Sequence, residues 1–259
     1  MVIEEVRAKS ILNRSTIGDY CINPYIGCQH ACVYCYADYY TRLRGYDKPW
    51  GSYIYVKMNA LDLLLGEITK KRRGVVYLSS LTDPYQQVEE RYRLTRRILE
   101  VLMRNQWPVI LQTKSPLVLR DLDIIKEFKR IEVGFTIITL DEDIRGMFEP
   151  HAPPTSARIE ALKELREEGI KTFVFIGPIL PGTKIDDLED LVLTVKDYSD
   201  VIYFDRLNLK PGLFDRINRV FLRMGQPNWS SDLKDYYQEI KRALMELLRE
   251  RGVNHIFVY

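Results

Sequence analysis

The chain has 259 residues, 46% of them hydrophobic and 29% charged, and its 38 Lys and Arg against 36 Asp and Glu give a formal net charge of +2. This composition is that of a folded globular protein and excludes a largely disordered chain. The near-neutral total also excludes a protein that coats nucleic acid through its overall charge, although a local basic face would not show in the sum.

The first ten residues carry two Glu, one Arg and one Lys instead of the apolar core of a signal sequence. No stretch approaches the roughly 18 consecutive apolar residues of a membrane-spanning helix. We therefore expect a cytoplasmic protein with no membrane partner, and the sequence does not indicate its oligomeric state. No repeat or linker divides it, so we predict one domain over residues 1–259, with an N-terminal extension of residues 1–19 and a C-terminal extension of residues 207–259.

Short runs of β-branched and aromatic residues alternate with amphipathic segments along the chain. The runs predict strands at residues 20–23, 74–78, 108–112, 132–138, 171–176, 201–204 and 254–258. The amphipathic segments predict helices with apolar stripes at residues 61–68, 94–102, 159–165 and 233–247. Continuous apolar strands between helices are typical of a parallel sheet covered on both faces. The alternation therefore predicts an α/β fold: a partial or complete (β/α) barrel with mostly parallel strands.

Polar segments follow the first five predicted strands, where a barrel of this kind places its chemistry. The cysteines follow the first strand, and the other segments are residues 79–84, 113–115, 139–141 and 177–182. We expect these loops to meet at one mouth.

The four cysteines, Cys21, Cys28, Cys32 and Cys35, all lie within fifteen positions. This clustering predicts a ligand set instead of disulfide bonds. The last three have the spacing C-x3-C-x2-C, and three thiolates can hold three irons of a 4Fe-4S cluster while the fourth iron stays open to a small molecule. The alternatives are a zinc site, which would use further Cys or His ligands, and three buried structural cysteines.

The cysteine motif and its neighbouring segments resemble the radical S-adenosylmethionine (SAM) superfamily, in particular the branch of spore photoproduct lyase and its DNA repair photolyase-like relatives. The resemblance covers about residues 23–182. The segments that carry it are residues 23–25, Tyr34 and Tyr36 around Cys35, and residues 81–85, 91–96, 113–115, 119–121 and 148–153.

This resemblance implies a 4Fe-4S cluster on Cys28, Cys32 and Cys35. It also implies reductive cleavage of SAM to a 5′-deoxyadenosyl radical that abstracts hydrogen from a substrate. The implied substrate is modified or damaged nucleic acid, and the implied partner is a reducing electron donor such as flavodoxin or ferredoxin. The alternatives are a peptide or small-metabolite substrate, or a non-catalytic iron-sulfur or zinc-binding module with Cys21 as fourth ligand.

The resemblance also assigns four residues to SAM. It places Lys114 on the SAM carboxylate, Ser79 and Asp83 near the SAM amino group, and Thr136 near the ribose or carboxylate. Without the resemblance, Lys114 is typical of an exposed loop, Asp83 of a turn and Thr136 of a packed strand.

Ser80 stands at about the position where the lyase has the cysteine that returns a hydrogen atom to the product radical. A hydroxyl O–H bond is too strong to replace a thiol in this role. We expect Tyr34 or Tyr36 to supply the hydrogen atom, with Cys21 as the second candidate. The structural alternative for both tyrosines is that they form aromatic pocket walls.

Two further groups of polar residues have more than one interpretation. His30 could line the cluster pocket, but a histidine in a loop is by default exposed. The arginines that follow the second predicted strand either face a phosphate backbone, together with Arg42 and Arg44, or form a solvated helix face. These arginines are Arg91, Arg93, Arg96 and Arg97.

Overall fold

The computed structural model describes residues 1–226 and 232–259. The strands in these ranges are β1 (Val2–Val6), β2 (Asn13–Arg14), β3 (Tyr20–Ile22), β4 (Tyr25–Ile26), β5 (Tyr53–Lys57), β6 (Val76–Leu78), β7 (Val109–Thr113), β8 (Ile131–Thr136), β9 (Lys171–Ile179), β10 (Val201–Arg206) and β11 (His255–Phe257). The α-helices are α1 (Ala37–Arg42), α2 (Ala60–Ile68), α3 (Val88–Tyr92), α4 (Leu94–Arg104), α5 (Leu122–Ile125), α6 (Glu142–Phe148), α7 (Thr155–Glu167), α8 (Ile185–Val195), α9 (Leu213–Arg223) and α10 (Lys234–Glu250).

The main sheet contains eight strands in the order β11-β10-β9-β8-β7-β6-β3-β2. Every pair of adjacent strands from β11 to β3 in this order is parallel, whereas β2 pairs with β3 in the antiparallel direction. Within the described ranges β2 and β11 are the unjoined ends of the sheet. The predicted (β/α) fold is therefore confirmed in its partial, open form.

The central strands are apolar because helices cover the sheet. Val109 and Leu111 of β7 and Val133 and Phe135 of β8 are almost fully buried. β8 and β9 also approach closely, since a Cβ on Gly134 would lie 2.3 Å from the ring of Phe173. The closely packed strands support the loops at their carboxyl ends.

All seven predicted strands are present, with ends that differ by a few residues, and the four predicted helices correspond to α2, α4, α7 and α10. A second sheet, of order β1-β5-β4, was not predicted. β1 and β4 lack a clear signal because β1 is mostly exposed and β4 has two residues. Residues 1–19 thus contribute β1 to the small sheet and β2 to the main one.

The described parts of residues 207–259, which are 207–226 and 232–259, continue the alternation of helices and strands beyond β10. They form α9 and α10, and β11 then pairs in parallel with β10. No helix within the described residues has the length and apolar character needed to cross a bilayer.

Candidate functional site

A cavity of about 360 Å³ opens at the carboxyl ends of the main-sheet strands. Its walls come from residues of β6 to β10 and from the segments that follow β4, β6, β7, β10 and β11. All nine site residues predicted from the sequence line it: Cys28, Cys32, Tyr34, Cys35, Tyr36, Ser79, Asp83, Lys114 and Thr136. The structure therefore brings these residues together, while their individual roles stay predictions.

One predicted segment does not reach the cavity. Residues 139–141 turn away to begin α6, where Asp141 accepts hydrogen bonds from the backbone N–H groups of Asp143 and Ile144. The expectation that this loop joins the mouth is wrong, because its polar groups cap a helix. A second hollow, of about 500 Å³, lies at the opposite ends of β8 and β9, and no cysteine lines it.

The cysteine loop has a backbone shape that fits closely against its surroundings. Gly27 has a φ of +88°, and a Cβ there would lie 2.3 Å from the carbonyl oxygen of Tyr53. Ala31 also has a positive φ, of 53°. A positive φ is uncommon for a residue other than glycine. The loop therefore has a defined shape that sets where its thiols point.

The three thiols fit a cluster that takes one cysteine per iron. Cys28 and Cys32 are buried, Cys35 is half-buried, and none forms a disulfide. Burial raises the pKa of Cys32 to about 12 and that of Cys28 well above its usual value, and iron coordination would deprotonate both thiols. Among the described residues no three His, Cys, Asp or Glu side chains converge on a single ion. The thiols instead open on a shared cavity, as an iron-sulfur cluster requires.

Arg216 of α9 holds the cysteine loop from outside the predicted site. Its guanidinium donates to the backbone carbonyls of Val33 and Cys35 and lies 3.0 Å from a carboxylate oxygen of Asp38. The sequence contains no local signal for this contact, because Arg216 follows the loop by about 180 residues.

Asp83 is buried, and its carboxylate connects three loops through polar contacts. It accepts hydrogen bonds from the hydroxyl of Thr113 (2.7 Å) and from the backbone N–H groups of Tyr85 (2.9 Å) and Lys114 (2.8 Å). His30 Nε2 lies 3.2 Å from Asp83 Oδ2. Although burial opposes ionisation, His30 and these hydrogen bonds lower the pKa of Asp83 to about 2. Both carboxylate oxygens of Asp83 already have protein partners. Asp83 therefore holds the loops of the pocket in place and has little free capacity to bind SAM.

The interpretation of His30 as an exposed loop residue is wrong. Its side chain is 1% exposed, and its other ring nitrogen lies 3.4 Å from the carbonyl oxygen of His151. A polar residue type in an irregular loop indicates a surface position. The burial of His30 is explained by its contact with Asp83, which the sequence does not indicate.

A second buried network centres on Glu149. Its carboxylate accepts a hydrogen bond from the hydroxyl of Tyr34, lies 2.6 Å from the guanidinium of Arg158, and is 3.8 Å from the ammonium of Lys114. Lys114 Nζ also lies 5.7 Å from the ring centroid of Tyr34. The exposed-loop alternative for Lys114 is wrong, since its side chain is only 15% exposed. Glu149 and Arg158 were not predicted as site residues.

Two hydroxyl groups in the cavity differ in their partners. Ser79 Oγ is buried and has no hydrogen-bond partner among the described residues. Thr136 Oγ1 accepts a 2.7 Å hydrogen bond from the Gln112 amide, which in turn accepts from the Tyr77 hydroxyl. A buried polar group without a partner is expected to bind a ligand or water. The hydroxyl of Ser79 is therefore more available to a ligand than that of Thr136.

Cys21 lies beside the cavity wall without lining it. The Asn23 amide nitrogen is 3.8 Å from Cys21 Sγ and 3.2 Å from Ser80 Oγ, so the thiol is one side chain behind Ser80. Tyr36 lies in the wall and donates a 2.7 Å hydrogen bond to the Ser80 carbonyl. Cys21 thus lies near the mouth through Asn23, but, unlike Cys28, Cys32 and Cys35, it does not line the cavity.

Two of the arginines after the second predicted strand have polar protein partners. Arg96 makes ion pairs with Asp121 (3.1 Å) and Asp123 (2.7 Å), and Arg97 donates to the carbonyls of Tyr92 and Arg93. The guanidinium of Arg96 joins α4 to the segment before β8 and does not stand on a solvated face, while a phosphate contact of these arginines stays a prediction.

The chain is similar to a known protein family and to proteins of known sequence. The family model described as "Radical SAM superfamily" matches residues 22–195. An uncharacterized protein of Methanocaldococcus jannaschii is 42% identical over 80% of this chain and 78% of its own length. One of Acidianus two-tailed virus is 36% identical over 70% of this chain and 63% of its own length. The radical SAM Nalpha-GlyT isomerase of Pseudomonas phage M6 is 25% identical over 63% of this chain and 34% of its own length.

Solved structures share the fold. Spore photoproduct lyase complexed with dinucleoside spore photoproduct superimposes with a TM-score of 0.75 at 15% identity, covering 100% of this chain and 82% of the lyase chain. Streptococcus suis SuiB bound to the precursor peptide SuiA gives a TM-score of 0.57 at 15% identity, covering 92% of this chain and 47% of SuiB. At these identities the likeness concerns the fold alone.

Proposed function

The chain belongs to the radical SAM superfamily of enzymes, and on that premise we propose that it cleaves SAM reductively at a 4Fe-4S cluster held by Cys28, Cys32 and Cys35. When bound, the cluster supplies the electron that breaks a carbon–sulfur bond of SAM and so generates the 5′-deoxyadenosyl radical. We further propose modified or damaged nucleic acid as the substrate, and flavodoxin or ferredoxin as the electron donor.

The observation that carries this proposal is the shared cavity. Three free thiols, the unpartnered hydroxyl of Ser79 and the buried ammonium of Lys114 line the same 360 Å³ space. The thiols suit irons, while a cation and a hydroxyl suit the carboxylate and polar groups of SAM. A closed module with Cys21 as fourth ligand does not fit, because Cys21 is not among the lining residues.

Lys114 is expected to contribute to SAM binding through its charge. Lys114→Ala should weaken SAM binding by about 1.5–3 kcal/mol, or about 10- to 150-fold in Kd. Isothermal titration of the anaerobically reconstituted protein measures this change. Lys163→Ala, which removes a lysine paired with Glu160 on the surface, is the matched control and should leave the Kd unchanged. Equal affinity in both variants would remove Lys114 from the SAM site.

The nucleic-acid substrate is supported by the fold shared with spore photoproduct lyase, whose structure holds a dinucleoside lesion. The test is an anaerobic assay with spore photoproduct dinucleotide, SAM and a reductant, in which conversion to thymines is measured. Conversion that falls in Tyr36→Phe or Tyr34→Phe would support a tyrosine as hydrogen donor. Conversion that survives both changes and vanishes in Cys21→Ala would identify Cys21 instead.

A peptide substrate is the second candidate, because the SuiB structure of the same fold holds a precursor peptide. SAM cleavage without any conversion of the nucleic-acid lesion would favour this class, or a small metabolite, over nucleic acid.

A further inference from the structure

Asp205, at the end of β10, is an acidic residue of the cavity that the cluster and SAM roles leave unused. It lines the cavity and is half-buried. One of its carboxylate oxygens accepts a 2.9 Å hydrogen bond from the backbone N–H of Arg206. Among the described residues no other group bonds to it, so a second oxygen is free to accept a hydrogen bond. An ionised carboxylate has several acceptor sites, so this oxygen can accept a hydrogen bond from a ligand in the cavity.

Besides Tyr34, three aromatic residues line the same cavity as Asp205. They are Tyr36, Tyr77 and Phe175. The hydroxyl of Tyr36 is held by the Ser80 carbonyl and that of Tyr77 by Gln112, so both rings are fixed by their polar ends. Fixed rings offer faces on which a planar ring can stack.

Gly177 lies between Asp205 and Phe175, where a side chain would not fit. A Cβ on Gly177 would lie 3.0 Å from the Cβ of Asp205 and 2.2 Å from the ring of Phe175. Because both neighbours line the cavity, the missing side chain allows the acid and the aromatic ring to lie side by side.

Two cationic side chains, those of Arg206 and Lys210, follow Asp205 closely in the sequence. Arg206 lines the cavity, and its guanidinium lies 5.8 Å from the ring centroid of Tyr259. Lys210 Nζ lies 5.8 Å from the ring centroid of Tyr40, whose ring packs edge-on against Tyr36 at 6.1 Å. An anionic backbone would bind these cations, whereas a basic peptide would be repelled by them.

We infer that Asp205 is a specificity-determining residue that accepts a hydrogen bond from a ring N–H or amino group of a substrate nucleobase lying against Tyr36, Tyr77 and Phe175. The inference rests on the proposed nucleic-acid substrate and adds which chemical edge of the base is recognised. Burial raises the pKa of Asp205 to about 6, so the carboxylate is largely ionised at neutral pH. Asp205 is not one of the groups assigned to the cluster or to SAM, so its removal should change substrate binding alone.

The test uses two fluorescent oligonucleotides, octathymidylate and the same octamer with every thymine methylated at N3, which removes the ring N–H. Binding to the anaerobically reconstituted, SAM-loaded protein is measured by anisotropy. The wild type should bind the unmethylated octamer about tenfold or more tightly, as expected for a hydrogen bond to a charged group. Asp205→Ala should bind both octamers equally, with iron content and SAM affinity unchanged. The control Asp47→Ala, at an exposed aspartate, should keep the preference.

Three outcomes would overturn the inference. If the wild type binds both octamers equally well, Asp205 does not read the N–H edge, although a nucleic-acid substrate still stands. If neither octamer binds while SAM cleavage proceeds, the nucleic-acid substrate fails together with the inference. If a lysine-containing peptide binds instead and Asp205→Ala abolishes that binding, the carboxylate recognises a cationic peptide.

Discussion

Alanine replacement of Cys28, Cys32 or Cys35 is expected to remove most of the iron and sulfide that the protein binds on anaerobic reconstitution, and with it all SAM cleavage. Each thiolate would hold one iron, so no remaining side chain can substitute for it. Cys21→Ala is the matched control, since its thiol contacts Asn23 and lies outside the cavity. Iron and sulfide analysis with electron paramagnetic resonance measures the result. Cluster loss in Cys21→Ala with retention in Cys32→Ala would contradict the ligand assignment.

Glu149→Ala is expected to lower the free energy of unfolding by about 3–5 kcal/mol, because it leaves the Arg158 guanidinium charged and unpaired in the interior. Both side chains are fully buried. Tyr34 and Lys114 lose a partner in the same substitution. Denaturant unfolding of the apoprotein, followed by circular dichroism, gives the value.

Glu160→Ala is the control for this measurement. Glu160 pairs with Lys163 at 2.8 Å on the surface, and a surface ion pair contributes about 0–1 kcal/mol. A Glu149→Ala loss no larger than that of Glu160→Ala would show that the buried network does not stabilise the fold.

The main sheet could be predicted because its strands are apolar on both faces and therefore stand out as short runs between amphipathic segments. Phe173 to Ile176 in β9 is the clearest example. The small sheet could not be predicted from the same signal, because Val2–Val6 is mostly exposed. Its partner Tyr53–Lys57 does carry strand-forming residues, and this signal could have been used.

In the site, local spacing predicted the cysteines and the resemblance predicted Lys114 and Ser79, and all of these residues line the cavity. His30, Glu149 and Arg158 could not be predicted as buried residues, because polar residue types indicate exposure until their partners are known. Asp205 and Arg216 lie far from the cysteine motif in sequence. Only the sheet order, which places the end of β10 at the same edge as the ends of β3 and β6, brings Asp205 into the cavity.

The central claim is that this cavity supports reductive cleavage of SAM. The most direct test is to reconstitute the wild-type protein anaerobically, reduce it with dithionite in the presence of SAM, and measure 5′-deoxyadenosine and methionine by liquid chromatography and mass spectrometry. We expect both products in equal amounts, formed slowly even without substrate and absent in Cys32→Ala. A fully reconstituted, reduced protein that binds SAM but forms no 5′-deoxyadenosine, with or without added substrate, would contradict it.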